Sequence, residues 1–316
     1  MTQERSADER QGVGYGAAAY LLWGLFPIYW PLLKPAGALE ILAHRMLWSF
    51  VVVIGIVIVQ RRWGRILELV RSPRRLLLLA AAAALVSVNW GTYIWGVNHD
   101  HVVETSLGYF INPLVTALLG VIVLRERLRP IQWAALAFGA AAIAVITIDY
   151  GRLPWIALTL AGSFGTYGLI KKHLSASAVD SFVVESSVQA VPAAIYIGFL
   201  AGQGDSNFGN HGAGHALLIA ASGVVTTIPL LCFGEAARRL RLTVLGMLQY
   251  LAPILQFGFG VLLFHESMSA ARLIGFILVW IGLIVLTADA VRHGRRRRMR
   301  APDPVTPETA AALGAE

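Results

Sequence analysis

A guanidinium inside an apolar run needs an anion, an aromatic face or a hydrated cavity beside it. Arg45 stands in such a run, residues 38–60, about seven residues or ~10 Å from its first residue. A charge at that depth costs at least ~2.5 kcal/mol if it faces lipid, so Arg45 is expected to face a cavity or a partner. His44 and Trp48 lie on the same turns and set an aromatic beside the cation. Glu185 and Gln189 hold a corresponding place in the run 179–201. Buried carboxyls tend toward neutrality, which keeps a proton-relay role open for Glu185. Glu104, Gly108 and Asn112 recur every fourth residue and make one face of the run 102–124 polar or small; Tyr109 stands beside them and Pro113 follows. Gln249, Pro253 and Gln256 share a face of the run 242–264 in the same way, with Tyr250 alongside. Prolines paired with amides at corresponding places point to a helix break and a binding site. Trp23, Asn89 and Tyr93 are aromatics and an amide set deep enough to line a cavity. Each of these residues also has a plain structural reading, as an ion pair, a helix–helix hydrogen bond worth about 0.6 kcal/mol, or an interfacial aromatic.

Chemistry that breaks covalent bonds is poorly represented. No cluster of nucleophile, base and orienting group appears, and no phosphate-binding glycine loop. Gly12, Gly14 and Gly16 follow no strand and suit close helix packing instead of dinucleotide binding. His99 and His101, with His211 and His215, are metal-ligand types, but the two pairs sit in separate loops, one of them glycine-flanked; no metal and no cofactor are expected. Cys232 is the single cysteine, so no disulfide forms within the chain. An integral-membrane enzyme is thus the weakest reading, behind a membrane scaffold or sensor without flux.

What must position these side chains is a set of membrane spans. Of 316 residues 57% are hydrophobic and only 14% charged, against about 25% charged in soluble domains; mean hydropathy is +0.65. Ten apolar runs follow one another: 12–33, 38–60, 74–98, 102–124, 130–149, 153–170, 179–201, 213–236, 242–264 and 270–290. Each approaches the ~20 residues that cross a bilayer as a helix. Residues 1–11 read as a polar, disordered head with no cleavable signal, and 292–316 as a basic, flexible tail.

The net charge of +8 resembles a nucleic-acid signal until the charges are placed. With a cytoplasmic amino terminus, 22 of the 26 Lys and Arg fall in cytoplasmic segments; only Lys34, Arg152 and Arg272 fall outside, and Arg45 within a span. That asymmetry gives an even number of spans with both termini inside. Arg295 to Arg298 can also meet anionic lipid of the bilayer. No nucleic-acid partner is expected.

The halves repeat at an offset of 140. Phe110-Ile111-Asn112-Pro113-Leu114 aligns with Tyr250-Leu251-Ala252-Pro253-Ile254, Glu126 with Glu266, Leu39-Glu40 with Val179-Asp180, and Arg45 with Glu185. Residues 12–149 and 150–291 then form two units of five helices. Five is odd, so the second unit crosses in the opposite sense, an inverted-topology repeat of the kind secondary transporters use, with the site between the halves. The first to fourth and sixth to ninth helices are expected to line the cavity, the fifth and tenth to lie outside.

Several strings carry a resemblance: Tyr20-Leu21-Leu22-Trp23-Gly24-Leu25-Phe26-Pro27, Glu40-Ile41-Leu42-Ala43-His44-Arg45, Val102-Val103-Glu104, Ser106 through Pro113, and Leu248-Gln249-Tyr250-Leu251-Ala252-Pro253. Over about residues 12–290 the chain resembles the RarD type of the EamA family, in the drug/metabolite transporter superfamily. The resemblance implies an all-α, ten-helix bundle of two repeats in a bacterial plasma membrane. It implies gradient-driven efflux of small organic solutes or drug-like metabolites, and carries an association with chloramphenicol sensitivity. Homodimerisation is left open. A last expectation is that Glu104 pairs with Arg45.

Overall fold

The computed structural model describes residues 2–125, 127–174, 176–240, 244 and 248–299. Among them every regular element is helical: α1 (Thr2–Gly24), α2 (Phe26–Tyr29), a 3-10 turn (Trp30–Leu33), α3 (Ala38–Gln60), α4 (Trp63–Val70), α5 (Pro73–Asn98), α6 (Val102–Leu124), α7 (Pro130–Tyr150), α8 (Trp155–His173), α9 (Ala178–Gln203), α10 (Gly212–Arg239), α11 (Leu251–Gly258) continued by a π-helical turn (Phe259–Leu263), and α12 (Ala270–Met299). Eight segments are long and apolar enough to span a membrane. The remaining two runs of the sequence are represented by the 19-residue α8 and by the shorter apolar segment Leu251–Leu263. The backbone of α1 is helical from Thr2, and that of α12 through Met299; the tail 300–316 and Glu126 lie outside the described residues.

Local chemistry sets the breaks. Pro27 and Pro31 fall in the short α2 and the 3-10 turn, where the first span breaks after Gly24 and tightens at its end. Arg61, Arg125, Gly151 and Gly204 close their helices in the left-handed region. Pro73 and Pro130 open α5 and α7 at the first helical position, where a missing N–H costs nothing. Large apolar side chains cover the outside of the bundle, with Ile148 81% and Leu217 70% exposed. Such a surface is favourable in lipid, where each helix satisfies its own backbone. The amphipathic α4, absent from the sequence reading, buries Ile66 and Leu69 and exposes Trp63 and Leu67 between α3 and α5.

Helices pack in a pattern that survives exchange of the two halves. At the 140-residue offset α3 corresponds to α9, α5 to α10, α7 to α12, α1 with its terminal turns to α8, and α6 to the segment holding α11. The contact of α1 with α10 has its counterpart in α8 with α5. Likewise α3–α10 matches α9–α5, and α1–α11 matches α8–α6, while α3–α9, α6–α11 and α7–α12 map onto themselves. The last pair is clamped at both ends: Asp149 accepts from Ser269 and Arg272 at 2.7 Å each, and Asp289 pairs with Arg129. Asp149 and Asp289 are themselves 140 apart.

Loop contacts stay on one of two faces. On the face carrying Lys34, buried Glu40 accepts from the backbone and side-chain amides of Asn207, both at 2.7 Å, and Glu266 accepts from the first two amides of α6. Burial holds the Glu266 carboxyl above its ordinary range against the pull of those amides. On the opposite face Asp180 accepts from Arg62 at 3.1 Å. Glu40 and Asp180 are again 140 apart, each at the start of a corresponding helix and each gripping the loop that follows the other.

Candidate functional site

Glycine decides how α3 meets α10. A Cβ at Gly223 would lie 2.4 Å from the carbonyl carbon of Trp48, so only glycine lets these helices approach. One turn further, at the middle of α10, Thr226 reaches Arg45: the Arg45 Nε donates to Thr226 Oγ1 at 2.8 Å. The guanidinium lies 3.8 Å from the centre of the Trp90 ring on α5, 5.0 Å from Trp30 and 5.5 Å from Phe26. Arg45 is thus caged by three rings and a hydroxyl, and is 2% exposed.

The expected pairing with Glu104 is not formed. Glu104 accepts from Arg152 at 2.9 Å and from the amide of Ile156 at 3.1 Å, because α6 starts beside the α7–α8 turn. Among the described residues no carboxylate pairs with Arg45. Arg45 Nη1 is buried with no hydrogen-bond partner, and so are Trp30 Nε1, Trp48 Nε1 and the Tyr93 hydroxyl. The energies do not balance without one. A desolvated cation–π contact contributes about 2 kcal/mol, and one neutral acceptor about 1.5–3. Burying the ion costs several kcal/mol, and an orphaned donor adds about 1–3.

Of the other sequence candidates, Tyr93 and Tyr109 join this cluster, ring to ring at 5.6 Å and within electrostatic reach of the guanidinium. Asn89 braces α5 on α8: its Nδ2 donates to the Leu160 carbonyl and Ser163 Oγ, and its Oδ1 accepts from Tyr109. His44 is buried with both ring nitrogens unpartnered and stacks on Phe208 of the α9–α10 loop at 4.8 Å; Trp48 lies 6.1 Å from the same ring. Trp23 packs with Tyr20 and Phe233, and its carbonyl accepts from Gln256. Asn112 keeps a buried, unpartnered Oδ1 one residue before Pro113, inside α6.

Two groups lie elsewhere. Glu185 sits seven residues from the start of α9, as Arg45 does from the start of α3. It accepts from Lys171 Nζ at 2.5 Å and Tyr167 at 3.1 Å. Gln189 donates to the Ala83 carbonyl and Ser87. Gln249 and Tyr250 form a turn ahead of α11, so Gln249 does not share a helical face with Gln256; Tyr250 packs into the α6–α7–α12 cluster. Pro253 is the third residue of α11, and the turn at Gln249–Tyr250 falls at the carbonyl that its missing N–H leaves unbonded, so the helix is interrupted just ahead of it. Of the metal-ligand types, His99 meets the Trp95 carbonyl, His211 the Asn207 side chain and His215 the Leu33 carbonyl.

Sequence reasoning did not select Phe26, Trp30, Trp90, Thr226 or Phe208. Trp30 and Trp90 stand near other aromatics along the first and third apolar runs, but only the crossing of α3, α5 and the 3-10 turn makes them a cage.

Comparison with known proteins assigns this architecture. Residues 10–148 and 153–288 each match the EamA-like transporter family. Protein RarD of Streptomyces exfoliatus is 57% identical over 293 residues, covering 93% of each chain. An uncharacterized transporter of Vibrio cholerae is 39% identical over 94% of this chain and 98% of its own. A crystal structure at 18% identity shares the fold, with a TM-score of 0.58 over 89% of this chain and 98% of that one. With two family repeats, apolar spans and RarD relatives along nearly its whole length, the chain belongs to the EamA-like transporter family, as a RarD-type multi-pass membrane transporter.

Proposed function

We propose that the chain is a gradient-driven carrier that exports small organic solutes across the bacterial plasma membrane by alternating access. Ten spans form two inverted five-helix repeats, both termini face the cytoplasm, and the Lys34 face is external. The observation that carries the reading is the pair of exchange-related latches: Glu40 on the α9–α10 loop at one face, Asp180 on Arg62 after α3 at the other. A carrier needs a closure at each face that can open while the other holds, and an inverted repeat supplies both from one design. The Arg45 cage and the Lys171–Glu185 pair lie between those closures, the first for solute and the second for the coupling ion. Export as the direction rests on the resemblance alone, as does chloramphenicol as a probe. The basic tail meets anionic lipid, and a homodimer fits the same reading.

The solute need not be chosen in advance to test this. Proteoliposomes are loaded with a bacterial metabolite extract, and mass spectrometry records which solutes leave faster than from protein-free vesicles, with and without a proton or sodium gradient. Gradient-dependent loss of a defined subset is expected. If no solute leaves faster than from bare vesicles, the carrier reading is wrong; flux indifferent to both gradients removes the coupling.

A further inference from the structure

We propose that the Arg45 cage is a binding site for an organic monocarboxylate with a planar, conjugated body. The proposal deepens the carrier reading and rests on it for the site's purpose, though not for its existence.

The argument is one of hydrogen-bond inventory. Arg45 Nη1 and Trp30 Nε1, on a ring 5.0 Å from the guanidinium, are both buried without a partner. Both are donors with no capacity to accept. The Tyr93 hydroxyl, one turn from Trp90 on α5, is also buried and unpartnered. Native interiors leave few such groups orphaned, and a cluster of them around one charge marks a missing acceptor. A cationic ligand cannot fill that role, because it would bring further donors and a like charge. A neutral hydroxyl supplies one acceptor but leaves the charge unbalanced. A carboxylate has two oxygens and about four acceptor positions, and matches the planar fork of a guanidinium. The charge count fixes a monoanion: among the described residues Arg45 is the lone cation in the cage, so a second negative charge would be left buried and unpaired. Thr226 already takes Nε, which leaves the terminal nitrogens to meet the ligand. The rings of Trp90, Trp30 and Phe26 then set the body of the ligand, since flat aromatic walls pack best against a flat partner.

The experiment uses the full-length protein in detergent micelles, with three probes of one shape: phenylacetate, neutral 2-phenylethanol and cationic phenethylamine. Binding is read by calorimetry and by shift of the melting temperature. Phenylacetate should bind about tenfold or more tightly than 2-phenylethanol, as a charge-assisted hydrogen-bonded pair should, and phenethylamine should not bind. Acetate, which lacks the ring, should bind more weakly than phenylacetate. Arg45→Gln should erase the preference for phenylacetate, and Arg45→Lys should retain part of it. The wild-type comparison stands even if both variants fail to fold. Equal binding of phenylacetate and 2-phenylethanol, or phenylacetate binding that survives Arg45→Gln undiminished, overturns the proposal. Inorganic phosphate that binds more tightly than phenylacetate also overturns it, in favour of a dianion site. The vesicle assay separates this failure from that of the carrier reading. Carboxylates absent from a non-empty set of exported solutes defeat the cage alone, while an empty set with intact phenylacetate binding defeats the carrier alone.

Discussion

Arg152→Ala should damage the protein more than Glu104→Gln, and the double variant should recover most of the loss. Glu104 is 1% exposed, whereas Arg152 is 40% exposed in its side chain. Removing one partner of a fully buried pair costs about 3–5 kcal/mol, because the survivor stays buried and charged. The exposure of Arg152 brings solvent to one side of this pair, which lowers that figure to about 1.5–3 kcal/mol for Arg152→Ala. The residual anion keeps only the Ile156 amide at 3.1 Å. Glu104→Gln leaves the arginine instead, and that side chain can swing into water. A glutamine oxygen can still accept from Ile156, so the loss is about 0.5–1.5 kcal/mol, one ordinary hydrogen bond. In the double variant the buried charge is gone and the cost should fall back to about that of Glu104→Gln alone. The assay is reversible unfolding in mixed micelles followed by intrinsic tryptophan fluorescence, with the four proteins compared as a cycle. Equal losses in the two single variants, or strict additivity in the double, would refute the reasoning.

Gly223→Ala should abolish monodisperse protein, since the added carbon meets the Trp48 backbone at 2.4 Å, while Gly55→Ala, with open space around it, should leave yield unchanged; comparable elution profiles would contradict the α3–α10 contact. Reporter fusions at Arg61–Arg75, Arg238 and the carboxyl terminus should read cytoplasmic and a fusion at Asn207 external; one inversion breaks the ten-span arrangement. Pro113→Ala should leave expression intact and slow flux in the vesicle assay, since it restores an N–H inside α6; loss of folded protein would give Pro113 a structural role. Because burial raises the Glu266 carboxyl, the folded chain keeps that proton to higher pH than the unfolded chain. Its contribution to stability is therefore largest at and below the ordinary carboxyl range and declines as pH rises through the window just above it. Glu266→Gln should flatten that part of the melting-temperature profile, and an unchanged slope would show that another group titrates there.

What could be read from the sequence and what could not divide along the range of the interaction. Spans follow from runs of apolar residues, a local property, and so does the depth of Arg45 along α3. The offset of 140 was also readable, because it compares the chain with itself. Partner choice was not. Depth alone put Glu104 within reach of Arg45, but side-chain pairs also depend on which helix faces which, and α6 starts beside Arg152. The cage failed to appear for the same reason, since Trp30 and Trp90 come from elements 60 residues apart. Gln249 was put on a face with Gln256 by reading 242–264 as one helix, where a turn at Gln249–Tyr250 precedes α11. The amphipathic α4 was hidden by Arg65 and the flanking Arg61, Arg62 and Arg71, although Ile66 and Leu69 are spaced for burial.

The exchange symmetry has an energetic consequence for the carrier reading. A carrier must open to either face at similar cost, because a large bias would trap it in one state beyond what a solute's differential affinity can overcome. Two unrelated closures would have to be matched by chance. Closures built from corresponding residues start from near equality: Glu40 accepts from Asn207 and Asp180 from Arg62, each a buried carboxylate at the first turn of a corresponding helix. Their differences then act as the fine adjustment. Glu40 holds the two amide donors of the uncharged Asn207 and opens by exchanging them for water, while Asp180 holds a cation whose attraction weakens with salt. On the carrier reading, Arg45 and Glu185 break the symmetry where a solute and a coupling ion would need different partners. On this reading the repeat supplies the motion, and the few positions at which its halves differ in charge supply the selectivity.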